Sequence, residues 1–133
     1  MYRRASGSRQ YAAFAGEQRD WLFGDNPWGM SFMVGVGTAF PHCMQSQVPN
    51  LAGSLDGTAP IDTGAVVNGP NGSGTFTGGL GGLQTGMRKC ENNAVAVFTG
   101  HGSEFLDDVR VWQSDEPALD MTGSAILAAA LQR

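Results

Sequence analysis

The chain has few positively charged residues and no long apolar run, and each shortage excludes a class of protein. Eight Lys and Arg residues are scattered through 133 residues of net charge −4, so no basic surface is expected to hold a nucleic-acid backbone. The longest apolar run, residues 125–131, is far shorter than the ~20 residues of a membrane span. The first residues are basic, but the apolar segment of a signal peptide does not follow them. We therefore expect neither a nucleic-acid partner nor a membrane partner.

Cysteine is also scarce, with only Cys43 and Cys90 present. The two form no C-x-x-C motif, and the nearby sequence offers no further ligands for a metal site. They could pair in an oxidising compartment or remain free thiols. The cysteine content therefore predicts no metal centre and leaves the pairing and the compartment open.

Glycine, by contrast, is abundant and unevenly placed. Seventeen of the 20 glycines lie between Gly24 and Gly102, which predicts that the middle of the chain is mostly loop and turn. Residues 31–36 could be a short strand or an extended segment, and residues 65–67 and 94–98 are the other strand-like pieces. A compact domain seldom holds so long a region with little regular structure unless its loops serve a site.

Two segments at the ends of the chain have helical periodicity. Residues 8–23 place apolar side chains three and four apart, and helix breakers follow from Gly24. Residues 116–131 form the second segment, with Ser114 or Asp115 as its expected cap. Because this segment is apolar nearly all round, it is expected to be buried on several sides. Two helices and a loop region cannot enclose it, so its packing partners are expected upstream in the sequence.

A cluster of acidic and aromatic residues lies just before the second helix. Its members are Phe105, Asp107, Asp108, Trp112, Asp115 and Glu116. Glycoside hydrolysis needs a carboxylic acid that keeps its proton near neutral pH, beside aromatic faces that bind a sugar ring. At Glu116 a helix start favours the charged form by about 0.3–1 kcal/mol, whereas neighbouring carboxylates and burial raise the pKa. An acidic helix start on a solvated surface is the alternative, and composition alone favours it.

The same stretch resembles the second active-site signature of glycoside hydrolase family 9, a family of cellulase-type enzymes. The core positions of that signature are filled by Phe105, Asp107, Trp112, Glu116 and Ala118. The resemblance implies that Glu116 is the general acid and that Asp107 is a further active-site residue. The family pattern continues to an Asn, and here Thr122 stands at that position.

Two more segments are similar to conserved blocks of the same family. Residues 21–37 (WLFGDNPWGMSFMVGVG) resemble a block that leads to a Pro-His pair, here Pro41-His42, and residues 64–71 (GAVVNGPN) resemble a later one. The resemblance implies that His42 binds substrate or organises the site, and an ordinary loop histidine is the alternative. Met44 holds the place of a family arginine, and Gln45 or Gln47 is a hypothetical replacement.

Three aromatic residues are candidates to stack on sugar rings. They are Trp28, Phe40 and Trp112. For Trp28, plain packing after the Asn-Pro turn is an equal alternative. We therefore predict a substrate-binding role for these three side chains.

The resemblance also implies a fold and a reaction. It predicts an all-α chain, residues 1–133, that is the C-terminal portion of an (α/α)6 barrel with long glycine-rich loops between two clear helices. Members of the family use an inverting mechanism with an Asp base in an Asp-Ala-Gly-Asp motif, which this sequence lacks. The expected function is therefore part of a secreted, extracellular hydrolase of β-1,4-glucosidic bonds in cellulose or related β-glucans. Its partners are the β-glucan and the missing N-terminal part of the domain; no cofactor is expected beyond a possible structural calcium, and the chain alone should be inactive.

Two alternatives remain open at this point. The departures at Met44 and Thr122 leave room for a non-catalytic carbohydrate-binding module or a vestigial barrel fragment. The second alternative is a small standalone interaction protein. The nearly all-apolar C-terminal helix disfavours it.

Overall fold

The computed structural model describes residues 2–58 and 61–132, which consist mainly of helices and loops. The α-helices are α1 (Tyr2–Ser6), α2 (Ala12–Leu22), α3 (Gln47–Ala52), α4 (Trp112–Asp115) and α5 (Leu119–Leu131). Two 3₁₀ helices, Ser73–Phe76 and Asn93–Phe98, lie in the long loop region. The strands are β1 (Asn71–Gly72), β2 (Glu91–Asn92), β3 (Ser103–Glu104) and β4 (Asp107–Asp108). β1 pairs antiparallel with β3, and β2 pairs antiparallel with β4.

Three extended segments lie side by side and connect distant parts of the chain. Met33 forms an antiparallel bridge with Val66, and Val67 forms another with Pro117. The predicted extended character is confirmed for residues 65–67 and at Met33, whereas residues 34–36 form a turn in which the Val36 amide donates to the Met33 carbonyl at 3.3 Å. These backbone pairs bring together the three blocks on which the family resemblance rests.

The main hydrophobic core surrounds these extended segments. Its buried members are Trp28, Met30, Phe32, Val34, Met44, Val67 and Phe105. The rings of Phe32 and Phe105 are 5.1 Å apart between centroids and are almost completely buried. Burial of one such side chain contributes about 1.5–3 kcal/mol. Because Phe105 directly precedes the acidic cluster, this packing fixes where the cluster begins.

A second, smaller core forms around a disulfide between Cys43 and Cys90. Met87 and Val109 complete the buried cluster. The bond links the loop that follows His42 to the residue before β2. The sequence left this pairing open, and the structure resolves it.

The first predicted helix is confirmed as α2, although the helix begins at Ala12 rather than at residue 8. The strand-like prediction for residues 94–98 is wrong, since these residues form a 3₁₀ helix. The Asn92 side chain accepts a hydrogen bond from the Ala94 amide at 3.2 Å, which stabilises the start of this turn. The periodicity also gave no indication of α3, which is only six residues long.

The second predicted helix is confirmed as α5, but it begins at Leu119 and not at residue 116. Residues 116–118 are extended because they pair with residues 66–68. Neither Ser114 nor Asp115 caps the helix, contrary to the prediction. The Ser114 hydroxyl instead exchanges hydrogen bonds with the backbone of Leu106, at 3.2 and 3.1 Å, and the side chains of Ser114 and Asp115 are buried.

Helices α2 and α5 leave apolar side chains exposed to solvent within the described residues. Neither α2 nor α5 has a buried residue, and Leu119 and Ile126 are 94% and 63% exposed. The burial expected for the C-terminal helix is therefore not provided by residues 2–58 and 61–132. Over those same residues, no helix combines the length and apolarity that crossing a membrane requires.

Replacement of both disulfide cysteines, Cys43→Ser with Cys90→Ser, should destabilise the natural full-length protein by about 4 kcal/mol. This value is the chain-entropy estimate for a cross-link between residues 47 positions apart. Urea unfolding of the double variant and of the oxidised wild type at one pH measures the difference. A difference below about 1 kcal/mol would contradict a stabilising role, since removal of a native disulfide usually costs more.

Candidate active site

Asp107, in β4, is a buried carboxylate that joins two loops. Its side-chain oxygens accept the backbone amide of His42, at 3.1 and 2.9 Å, and that of Cys43, at 2.7 Å. The Asn92 Nδ2 group donates to Oδ2 at 2.9 Å. Asp107 is only 1% exposed, and a buried carboxylate requires such hydrogen bonds to offset the loss of water. These contacts hold the His42 loop against β4.

The His42 ring is held from two sides. Phe40 packs against it edge-on, with 5.2 Å between ring centroids. On another side lies Gly57, where an added Cβ would be 2.5 Å from His42 Nε2. Gly57 also has a φ of +80°, a conformation that favours glycine. Backbone shape and the absence of a side chain at Gly57 therefore decide the position of the imidazole.

Glu116 lies on the extended segment between α4 and α5, and its side chain is exposed. Its backbone carbonyl accepts the Asn68 amide at 3.1 Å. The Asn68 side chain in turn donates to the Trp112 carbonyl at 2.6 Å. Asn68 thus anchors the segments that carry both Glu116 and Trp112.

Thr122, at the position where the family has Asn, makes hydrogen bonds behind this segment. Its Oγ1 accepts the Val66 amide at 3.0 Å and donates to the Ala118 carbonyl at 3.0 Å. The hydroxyl therefore connects the first turn of α5 to the extended segment opposite Glu116. Although Thr122 departs from the family pattern, a hydrogen-bonding side chain is therefore present at this position.

Asp115 differs from the other acids of the cluster. It is 0% exposed, and neither of its carboxyl oxygens has a hydrogen-bond partner among the described residues. Burial raises the pKa of Asp115 well above its ordinary value of 3.8, and the negative charges of Asp107 and Asp108 raise it further. Asp115 is therefore expected to keep its proton to a higher pH than an ordinary aspartate does.

Asp108 has the opposite environment. Burial alone would raise its pKa, but hydrogen bonds from Arg110 and the positive charges of Arg110 and Lys89 lower the pKa below its ordinary value. The Arg110 Nε group donates to Asp108 Oδ1 at 2.8 Å, and its guanidinium also lies 3.6 Å from Glu91. Two adjacent acids in β4 are thus satisfied by different partners.

The three predicted sugar-stacking residues occupy different environments. Trp112, at the start of α4, is 55% exposed, whereas Trp28 is 6% exposed and belongs to the core. Phe40 is half-buried beside His42. Trp112 is thus accessible to a ligand, and the position of Trp28 fits the packing alternative.

The structure also shows the environments of Met44, which stands where the family has an arginine, and of its hypothetical replacements Gln45 and Gln47. Met44 is 3% exposed and lies in the core, so its side chain cannot take the part of an arginine. Gln45 is half-buried, and its backbone N–H donates a hydrogen bond to the backbone carbonyl of Asp115 at 2.9 Å. Gln47 is exposed at the start of α3.

The structure therefore divides the predicted site residues into two groups. Phe40 and Asp107 both contact His42, while Glu116 and Trp112 are joined through Asn68. The amide of Gln45, three residues after His42, connects the first group to the residue before Glu116. Within the described ranges, no group of three His, Cys, Asp or Glu residues could hold a metal ion.

Sequence reasoning missed three residues that organise the site. Asn92 lies outside the three segments that resemble the family, and no sequence signal marked it. Asn68 lies within a recognised block, and its polar side chain between apolar residues was the available signal. Gly57 is one of many glycines, and only the contact with His42 distinguishes it.

Comparison with known proteins defines the class. Residues 1–131 match the model of glycosyl hydrolase family 9, and the chain belongs to that family. It is 30% identical to Endoglucanase 20 of Oryza sativa subsp. japonica over 128 residues, which cover 82% of this chain and 24% of that protein. It is 33% identical to Endoglucanase 18 of Arabidopsis thaliana over 94 residues, 53% of this chain and 20% of that protein.

A third relative, Endoglucanase 3 of Oryza sativa subsp. japonica, is 38% identical over 77 residues, 44% of this chain and 15% of that protein. The chain thus spans about a quarter or less of the length of these curated relatives. No solved structure matches the chain.

Substitution of Gly57 by alanine should displace the His42 ring, because the new Cβ would overlap the imidazole. The expected result is a large change in the His42 ring NMR signals and a loss of about 1–3 kcal/mol of unfolding free energy. The matched control is Gly37→Ala. Gly37 has a similar φ of +76° but no heavy atom within 4 Å of an added Cβ. Equal changes at His42 in both variants would show that the contact does not position the ring.

Proposed function

We propose that the natural protein hydrolyses β-1,4-glucosidic bonds in cellulose or related β-glucans, with Glu116 as the general acid. Family membership carries this proposal, and the placement of Glu116 supports it. The side chain is exposed, as a group that must reach a glycosidic oxygen has to be. The backbone around it is anchored by Asn68 and Thr122, which limits its movement.

The proposed reaction inverts the anomeric centre. Glu116 donates its proton to the glycosidic oxygen as the bond to the anomeric carbon breaks. A second carboxylate, about 6.5–9.5 Å from the acid, removes a proton from the water that attacks the opposite face. That base would come from residues outside this chain. The proton transfers need no cofactor.

Asp107 is not suited to act as that base. Its two oxygens already accept three N–H groups, and its side chain is 1% exposed. Its proposed role is to hold the loop that carries His42. His42 would then contact the sugar near the cleaved bond, with Phe40 and Trp112 as platforms for neighbouring sugar rings.

The proposed place of the chain is the C-terminal portion of an (α/α)6 barrel. The exposed apolar faces of α2 and α5 support this placement, because further helices of the barrel would cover them. A polymeric glucan is too large to enter a cell, and the Cys43–Cys90 disulfide is suited to an oxidising compartment. We therefore propose that the natural protein is secreted.

A second candidate is a carbohydrate-binding protein that has lost catalysis. The buried side chain of Met44, where the family has an arginine, favours it, because one substrate contact is missing from the site. Binding of β-glucan without release of reducing sugar by the full-length wild type would support this candidate.

The substitution Glu116→Gln in the full-length protein should lower kcat on β-glucan by at least ~10²-fold, the usual contribution of a positioned general acid. The loss should be much smaller on an aryl cellooligosaccharide with a strongly acidic phenol, which departs without a proton. Steady-state kinetics on both substrates measures this difference.

The control variant is Glu17→Gln, which makes the same chemical change on the exposed surface of α2. It should hydrolyse both substrates like the wild type. Turnover of β-glucan by Glu116→Gln at the wild-type rate would remove Glu116 as the acid.

A further inference from the structure

The half-buried ring of His42 lies against a turn of the chain that contains Gly57. An added Cβ at Gly57 would be 2.5 Å from His42 Nε2 and 2.8 Å from both Cδ2 and Cε1. A point beyond Nε2 in the ring plane would be much farther from the two carbons than from the nitrogen, so this point lies over a ring face. Gly57 therefore limits the tilt of the imidazole and does not cover the in-plane edge of Nε2.

The turn that carries Gly57, residues 54–58, is closed by its own side chains. The Asp56 carboxylate accepts the Thr58 amide at 3.0 Å and the Thr58 hydroxyl at 2.6 Å. The Ser54 hydroxyl donates to the Thr58 carbonyl. Because these bonds fix the shape of the turn, the place of Gly57 depends on how the start of the turn is held.

Arg88 holds the start of this turn. Its Nε group donates to the Asn50 carbonyl at 2.7 Å. Its Nη2 group donates to the same carbonyl and, at 2.7 Å, to the Gly53 carbonyl. Both carbonyls lie at the C-terminal end of α3, where a helix has acceptors without partners of its own. A planar cation with several N–H donors suits this place, because the C-terminal end of a helix is its negative end.

A second pair of hydrogen bonds joins Arg88 to α3 through the backbone. The buried Asn50 side chain accepts the Arg88 amide at 2.7 Å and donates to the Arg88 carbonyl at 2.9 Å. α3 has only six residues, and a helix of that length is unstable by itself in water. The contacts with Arg88 therefore explain how α3 forms without a periodic apolar face.

The disulfide connects this anchor to the site. Cys90 follows Arg88 by two residues, and its sulfur lies 3.7 Å from the Leu55 carbonyl oxygen. The Leu55 side chain packs against the buried cluster around the disulfide. The same bond holds Cys43, the residue after His42. The turn and the His42 loop are therefore both tied to the segment that contains Arg88.

We propose that Arg88 is a positioning residue for His42. By holding the C-terminal carbonyls of α3, its guanidinium sets the place of Gly57, and Gly57 sets the tilt of the imidazole. This role rests on the proposed contact of His42 with the sugar. The backbone of His42 is held separately by Asp107, so loss of the guanidinium should free the ring while the loop stays attached.

The variant Arg88→Met of the full-length protein tests this role, because it keeps the apolar stem of the side chain and removes its donors. The backbone bonds to Asn50 and the disulfide do not involve the guanidinium, so the variant should fold. Its kcat on β-glucan should fall by about 10-fold, since a misplacement of about 1 Å can cost up to ~10²-fold. The ring NMR signals of His42, assigned by their loss in His42→Gln, should shift.

The matched control is Lys89→Met, which removes the neighbouring cation. The Lys89 side chain is exposed and lies 3.7 Å from Glu91. This variant should keep the wild-type kcat and the wild-type His42 signals. Urea unfolding of each variant checks that it is folded.

A double-variant comparison separates positioning of His42 from a general loss of structure. If Arg88 acts through the imidazole, Arg88→Met should lower kcat no further in a His42→Gln background. An equal fold-loss in both backgrounds, or unchanged His42 ring signals in Arg88→Met, would overturn the proposal.

The outcomes also distinguish this inference from the proposed function. Hydrolysis by His42→Gln at the wild-type rate would reject the contact of His42 with the sugar. The ring signals in Arg88→Met would still report whether the guanidinium positions the imidazole, because they do not depend on activity.

Discussion

The arrangement of the site depends on the burial of one carboxylate. Asp107 is removed from water, and the hydrogen bonds that offset this loss come from the amides of His42 and Cys43 and from Asn92. The His42 and Cys43 donors lie more than sixty positions away in sequence, so a single side chain decides how two remote loops meet. Because a buried charge without donors is so unfavourable, these loops have little freedom to move independently.

The loops around this carboxylate have few regular hydrogen-bonded elements, and other contacts take their place. The Cys43–Cys90 disulfide ties the His42 loop to β2, whose pairing with β4 carries Asp107. Gly57 lets the backbone approach the imidazole more closely than any side chain would allow. The site is therefore held by a cross-link, a close backbone approach and a buried ion rather than by long helices or strands.

The acids of the cluster differ in pKa and in exposure because their surroundings differ. Asp108 meets Arg110 and has a lowered pKa, whereas Asp115 is buried near negative charge and has a raised pKa. Glu116, one residue later, is exposed on an extended segment. Asp115 is the last residue of α4, whereas Glu116 begins the extended segment that pairs with residues 66–68.

The sequence by itself determined the family and the positions of α2 and most of α5, and it singled out His42 and Asp107, which the structure brings into contact. Local periodicity and the spacing of Phe105, Asp107, Trp112 and Glu116 are properties of short segments, so they can be read without knowledge of the fold. Only the tertiary structure decided the disulfide, the 3₁₀ helix at residues 93–98, the core position of Trp28 and the burial of Asp115. The disulfide, the core position of Trp28 and the burial of Asp115 depend on contacts between residues distant in sequence, and a local sequence pattern does not specify which distant group will remove a side chain from water.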